Sequence, residues 1–121
     1  AVMRSLPNMT IVEPCDARQI GSAVRAIADH QGPVYLRMHR PTMALKKGTP
    51  LLPLTIGKGQ LLKEGDDAII FACGHMVSKA QDAARMLKKE GITVAVANMH
   101  TLKPFDESII FSAARYKPFV I

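Results

Sequence analysis

The chain has 121 residues, 48% of them hydrophobic, enough for one compact core or for a piece that shares a core with neighbours. Its formal charge is +6, but sixteen Lys and Arg are spread along the chain and interleaved with ten acids, and Tyr35, beside Arg37 and Arg40, falls in a predicted strand, which argues against a nucleic-acid partner. No run of 18 apolar residues occurs, and Arg4, Glu13, Asp16, Arg18, Arg25 and Asp29 punctuate the first 30 positions, so neither a membrane helix nor a secretory signal is expected and the cytoplasm is the expected location.

Met9-Thr10-Ile11-Val12 is a short β-favouring run stopped by Glu13-Pro14, and Asp16 then offers its side chain as a helix start. From Asp16 to about Asp29 the apolar residues Ile20, Val24, Ile27 and Ala28 recur at helical spacing, with Arg18, Ser22, Arg25 and Asp29 on other faces. Gln31-Gly32-Pro33 ends this helix, because glycine permits a left-handed turn and proline cannot continue the ladder. Val34 to Met38 reads as a second strand.

The stretch from Pro41 to Pro53 holds three prolines, a glycine and Lys46-Lys47 without helical or strand periodicity, and is read as a linker between two pieces. Residues 57–66 then suggest a short edge strand and a turn. Asp67 to Cys73 is nearly all apolar, as a strand covered on both faces should be. A helix from about Met76 to Glu90 places Val77, Ala80, Ala84 and Leu87 on one face and ends at Gly91. Ile92 to Met99 reads as the next strand, Asp106 as the cap of a helix through about Arg115, and Phe119-Val120-Ile121 as the beginning of another strand. Alternating strands and helices predict an α/β chain with mostly parallel sheets. The first piece, with two strands and one helix, is too small to bury both faces of a sheet, so it is expected to be the tail of a larger domain.

Few residues carry chemistry. Cys15 and Cys73 lie too far apart in sequence to read as a metal pair or a disulfide framework, and both are expected reduced and near the core. His30 falls at a helix end, where carbonyl dipoles favour a cation. His100 falls on a strand-end loop, readable as an interface or pocket residue or as a loop histidine that satisfies backbone groups, and the second is the expectation. Cys73-Gly74-His75 makes a strand-to-helix turn, readable either as a plain helix start or as an anion site. The densest signal is Arg37-Met38-His39-Arg40-Pro41, which sets multi-donor cations at the carboxyl end of a strand, where open α/β sheets bind ligands. A phosphate or carboxylate is the natural guest. The alternative is that Arg37 pairs with a structural acid and Arg40 is solvated.

Residues 4–16, Arg4-Ser5-Leu6-Pro7-Asn8-Met9-Thr10-Ile11-Val12-Glu13-Pro14-Cys15-Asp16, are similar to a stretch late in the pyrimidine-binding domain of transketolases. Gly32-Pro33-Val34-Tyr35-Leu36-Arg37 through Arg40-Pro41 resembles the strand that closes that domain. Ala72-Cys73-Gly74-His75-Met76-Val77 and residues 98–106, Asn98 through Pro104-Phe105-Asp106, resemble the family's C-terminal domain. The order matches along essentially the whole chain, and the wording is nearest to the C-terminal subunit of split bacterial and archaeal transketolases.

The resemblance implies the tail of a pyrimidine-binding domain at 1–41, a linker at 42–55 and an incomplete three-layer C-terminal domain at 56–121. It implies a thiamine-diphosphate- and Mg2+-dependent transferase that moves a two-carbon ketol unit between sugar phosphates. Its N-terminal diphosphate-binding subunit or domain would complete a homodimer or heterotetramer. It also implies that Arg40 contacts the substrate phosphate, with Arg37 and His39 beside it; His39 stands where many members have serine or proline. The family's catalytic glutamate and its diphosphate and metal motif have no counterpart in these residues, so the chain is expected to be a truncated piece that binds no cofactor by itself. Deoxyxylulose-phosphate synthase and the β subunit of 2-oxoacid dehydrogenases are neighbouring readings. A non-catalytic module that joins a partner polypeptide is the reading of a different class, motivated by the half-covered first sheet.

Overall fold

A computed structural model of the chain describes residues 2–39, 45, 47–113 and 119–120. In chain order they form α1 (Val2–Ser5), β1 (Thr10–Val12), α2 (Ala17–Ala28), β2 (Val34–Leu36), β3 (Gln60–Lys63), β4 (Ala68–Ala72), α3 (Met76–Lys89), β5 (Val94–Asn98), β6 (Thr101–Lys103), α4 (Glu107–Ser112) and β7 (Phe119–Val120). Arg40, the end of the last predicted helix at Arg115, and Ile121 lie outside the described residues.

Two sheets result. The larger runs β3-β5-β4-β7, with β4 parallel to both β5 and β7 and β3 antiparallel at the edge. Alternation along its two central strands builds a core on each face. Ala68, Val94 and Val96 pack against Ala80 and Ala84 of α3, with Ile70, Ala72 and Leu87 around them. Ile69, Phe71, Ala95, Ala97 and Met99 form the opposite core with Ala113, and Ile109 and Ile110 of α4 close it. Full burial of a side chain such as Ile69 is worth roughly 2–3 kcal/mol. The strands therefore read as unbroken apolar runs because both faces are covered. Gly65 is required where the β3–β4 turn crosses β5: a Cβ there would lie 2.4 Å from the carbonyl carbon of Val94.

The smaller sheet runs β2-β1-β6. β1 and β2 are parallel, in the register Thr10–Val34, Ile11–Tyr35 and Val12–Leu36, while β6 adds antiparallel to β1. The third strand thus comes from the second half of the chain, in a stretch that the sequence reads as a loop. The segment read as a linker is also drawn inward. Leu54 packs with Val12 and Ala23, and Leu45 with Cys15, Leu62 and Val77.

Asp16 caps α2 as its sequence position predicts, accepting hydrogen bonds from the backbone N–H groups of Arg18 and Gln19. The buried face of α2 differs from the predicted one. Gln19 and Ala23 point inward, whereas Val24 is half-exposed. Gln19 accepts from the backbone N–H of Cys15 at 3.0 Å and from Asn98 Nδ2 at 3.3 Å, and these bonds turn its side of the helix to the interior.

Candidate functional site

Parallel pairing brings the carboxyl ends of β1 and β2 out side by side, and the backbone N–H of Arg37 donates to Val12 O at 2.8 Å. Glu13 therefore emerges beside Arg37 and His39. Its own N–H donates at 2.8 Å to the carbonyl of His100, between β5 and β6, which fixes the backbone beneath its side chain. From the larger sheet, β4 ends at Ala72 and turns through Cys73, Gly74 and His75 into α3. These ends meet at a seam between the two sheets.

Glu13 lies at the centre of the seam and is only 2% exposed. Its Oε1 accepts a hydrogen bond from His39 Nε2 at 2.5 Å, and its Oε2 faces Arg37 Nη1 at 3.4 Å. A carboxylate can only accept, so the imidazole must donate from Nε2. The same carboxylate lies against Gly74, whose φ is +52°, and a Cβ on Gly74 would fall 2.2 Å from Oε1. Glycine at this turn therefore permits both the left-handed backbone and the approach of the acid. The ring of His75 meets that of His39 edge-on at 4.4 Å between centroids. Burial, followed by the nearby charge of Glu13, pushes the Cys73 thiol above its ordinary range.

The sequence singles out the Arg37-to-His39 segment and the Gly74-His75 turn as two separate signals, and the fold brings them together. Glu13, which organises them, was read only as the residue that stops a strand. The anion beside the Gly74 turn is this chain's own carboxylate, just ahead of the N-terminus of α3, where negative charge is favoured. Arg37 does pair with an acid, yet 52% of its side chain stays exposed, so its guanidinium keeps a face towards solvent.

The remaining histidines lie apart from this cluster. His30 sits just after α2, 3.1 Å from the hydroxyl of Thr10 through Nε2. His100 is buried, with Nδ1 3.2 Å from the Thr101 hydroxyl, and burial depresses its pKa to about 4 against a weaker opposing pull from Asp106. Cys15 is buried too, pushed up to about 12 chiefly by desolvation, and takes a hydrogen bond from Asn98 Nδ2 at 3.4 Å. Both cysteines are free thiols.

Residues 57–121 match the family model described as the transketolase C-terminal domain. The chain belongs to the transketolase C-terminal domain family. It is 42% identical over 115 residues to a 6-deoxy-6-sulfo-D-fructose transketolase subunit of Clostridium sp. strain MSTE9, covering 94% of this chain and 35% of the relative. A 1-deoxy-D-xylulose-5-phosphate synthase of Parasynechococcus marenigrum is 38% identical over 118 residues, covering 93% of this chain and 18% of the relative. Among solved structures, a split-gene transketolase described as an inactive β4 tetramer superposes with a TM-score of 0.87 at 41% identity, over 94% of this chain and 38% of that one. The chain thus spans about a third of the length of the transketolase subunit it matches.

The cofactor that the resemblance implies, thiamine diphosphate with Mg2+, calls for metal ligands that the described residues do not group together. Among them no three His, Cys, Asp or Glu side chains are placed to hold a metal ion. Among the described residues no helix is long and apolar enough to cross a membrane.

Proposed function

We propose that this chain is the C-terminal part of a cytoplasmic, thiamine-diphosphate- and Mg2+-dependent transferase that moves a two-carbon ketol unit between sugar phosphates. An N-terminal diphosphate-binding subunit or domain holds the cofactor, in a homodimer or heterotetramer, and this chain binds none alone. Residues 1–41 close the pyrimidine-binding domain, 42–55 connect, and 56–121 contribute the C-terminal domain. Arg40, with Arg37 and His39 beside it, receives the substrate phosphate.

The observation that supports this reading is the parallel pairing of β1 with β2, which carries Arg37 and His39 to the carboxyl end of the smaller sheet. Parallel α/β sheets bind ligands at that end, and a half-exposed guanidinium offers a fork of donors to phosphate oxygens. A second reading, a deoxyxylulose-phosphate synthase, draws on the 38% identity to the synthase of Parasynechococcus marenigrum. It predicts the same phosphate clamp and a different product.

In the intact enzyme, Arg40→Ala should raise KM for fructose 6-phosphate roughly 10- to 100-fold, the value of one or two charge-assisted hydrogen bonds. Affinity for thiamine diphosphate, read by calorimetry, should be unchanged. Equal losses in both, or none in either, would reject the assignment. Identification of the product from a labelled donor separates ketol transfer from deoxyxylulose-phosphate synthesis.

A further inference from the structure

Arg37 and His39 share one buried anchor. Glu13 follows a different strand, at sequence separations of 24 and 26 from the two residues it holds, and reaches them only because β1 and β2 lie side by side. Each carboxylate oxygen has a different partner: Oε1 takes the imidazole and Oε2 the guanidinium. The acid is almost completely buried, whereas the side chains it holds are 52% and 23% exposed. A buried charge with two cationic or donor partners at the surface orients them, because leaving it would strand an uncompensated charge. The opposite wall is Gly74, where a Cβ would overlap Oε1, and the His75 ring braces the far side of His39 at 4.4 Å.

From this geometry we infer that Glu13 is a positioning residue for substrate-phosphate recognition: it fixes the directions in which Arg37 and His39 present their outward donors, and Gly74 is the gap that lets it do so. The inference rests on the proposed role of Arg37 and His39. Glu13 itself does not touch substrate, and a carboxylate facing a phosphate would repel it. Its contribution lies in preorganisation, since the ordering of two flexible side chains is completed before the ligand arrives.

Glu13→Gln tests this in the intact enzyme. The amide keeps the shape, but loses the charge and turns either a carbonyl or an NH2 towards His39 and Arg37, so one of the two donors is left without an acceptor. The readout is the ratio of kcat/KM for fructose 6-phosphate to kcat/KM for fructose, which isolates the phosphate. We expect Glu13→Gln to lower that ratio about tenfold, the value of a displaced charge-assisted bond. Arg37→Ala should lower it similarly, and the double variant should lose less than the product of the two single losses, because both substitutions disturb one device. Gly74→Ala, which keeps the charge and displaces the carboxylate, should move the ratio in the same direction. A drop in Arg37→Ala with none in Glu13→Gln overturns the positioning role and leaves the proposed function standing. Equal losses for both sugars with a lowered Tm make Glu13 a folding residue and also overturn it. No change of the ratio in Glu13→Gln, Arg37→Ala or His39→Ala overturns the inference and the phosphate assignment together.

Discussion

The two long helices among the described residues, α2 and α3, obey the same sequence rule with opposite results. In α3 the apolar face predicted from helical spacing is the face that packs: Val77, Ala80 and Ala84 are buried. In α2 the predicted stripe turns partly outward, with Val24 half-exposed, and the positions that go inside are Gln19 and Ala23. The difference follows from what each helix covers. α3 lies on a sheet whose strands are apolar on both faces, so burial of hydrocarbon decides its orientation. α2 lies beside a polar seam, where Gln19 must reach Cys15 and Asn98, and unsatisfied buried polar groups cost as much as a lost apolar contact. Helical periodicity is thus a safe guide to orientation only where the opposing surface is itself apolar.

The largest expected effect comes from attacking the region where hydrocarbon decides. Ile69→Ala, at a position 1% exposed, should cost about 4 kcal/mol in denaturant unfolding. A loss below about 1 kcal/mol would mean that the larger sheet is not the stabilising core.

His100 sharpens the comparison at the seam. Its folded pKa of about 4 lies below the ordinary 6.5, so on acidification the unfolded chain takes up a proton before the folded one. Stability should therefore be complete above pH 6.5 and fall by about 3 kcal/mol as the pH drops towards 4, measured by denaturant midpoints across that range. His100→Asn should flatten this part of the profile; an unchanged slope would place the acid sensitivity elsewhere.

The smallest effect belongs to the outward stripe. Val24→Ala should shift stability by less than about 0.5 kcal/mol, since the side chain is half-exposed and alanine favours helix. A loss well above 1 kcal/mol in the intact protein would show that another surface covers the stripe there.

Local rules made much of the fold legible. The Asp16 cap, the apolar run of β4 and the stop at Gly91 each depend on neighbours within a turn or two, and each stands where the sequence places it. β6 escaped because three residues carry no periodicity of their own, and their partners, Ile11 and Val12, lie at the other end of the chain. The candidate site was half legible. Arg37 and His39 announce themselves as clustered donors beside a strand, but Glu13 is a single acid before a proline, and its meaning comes from strand pairing and from a glycine in the other sheet.

The passage from β5 through His100 into β6 gives one stretch of chain to both sheets, and the backbone of Glu13 is tied to it midway. That arrangement limits how genes encoding this architecture can be divided. A fission point inside residues 40–56 would place β1 and β2 on one polypeptide and β6, which pairs with β1, on another, so the first product would carry β1 with an open edge. Shuffling of the C-terminal unit between enzymes must carry the strands of the smaller sheet with it.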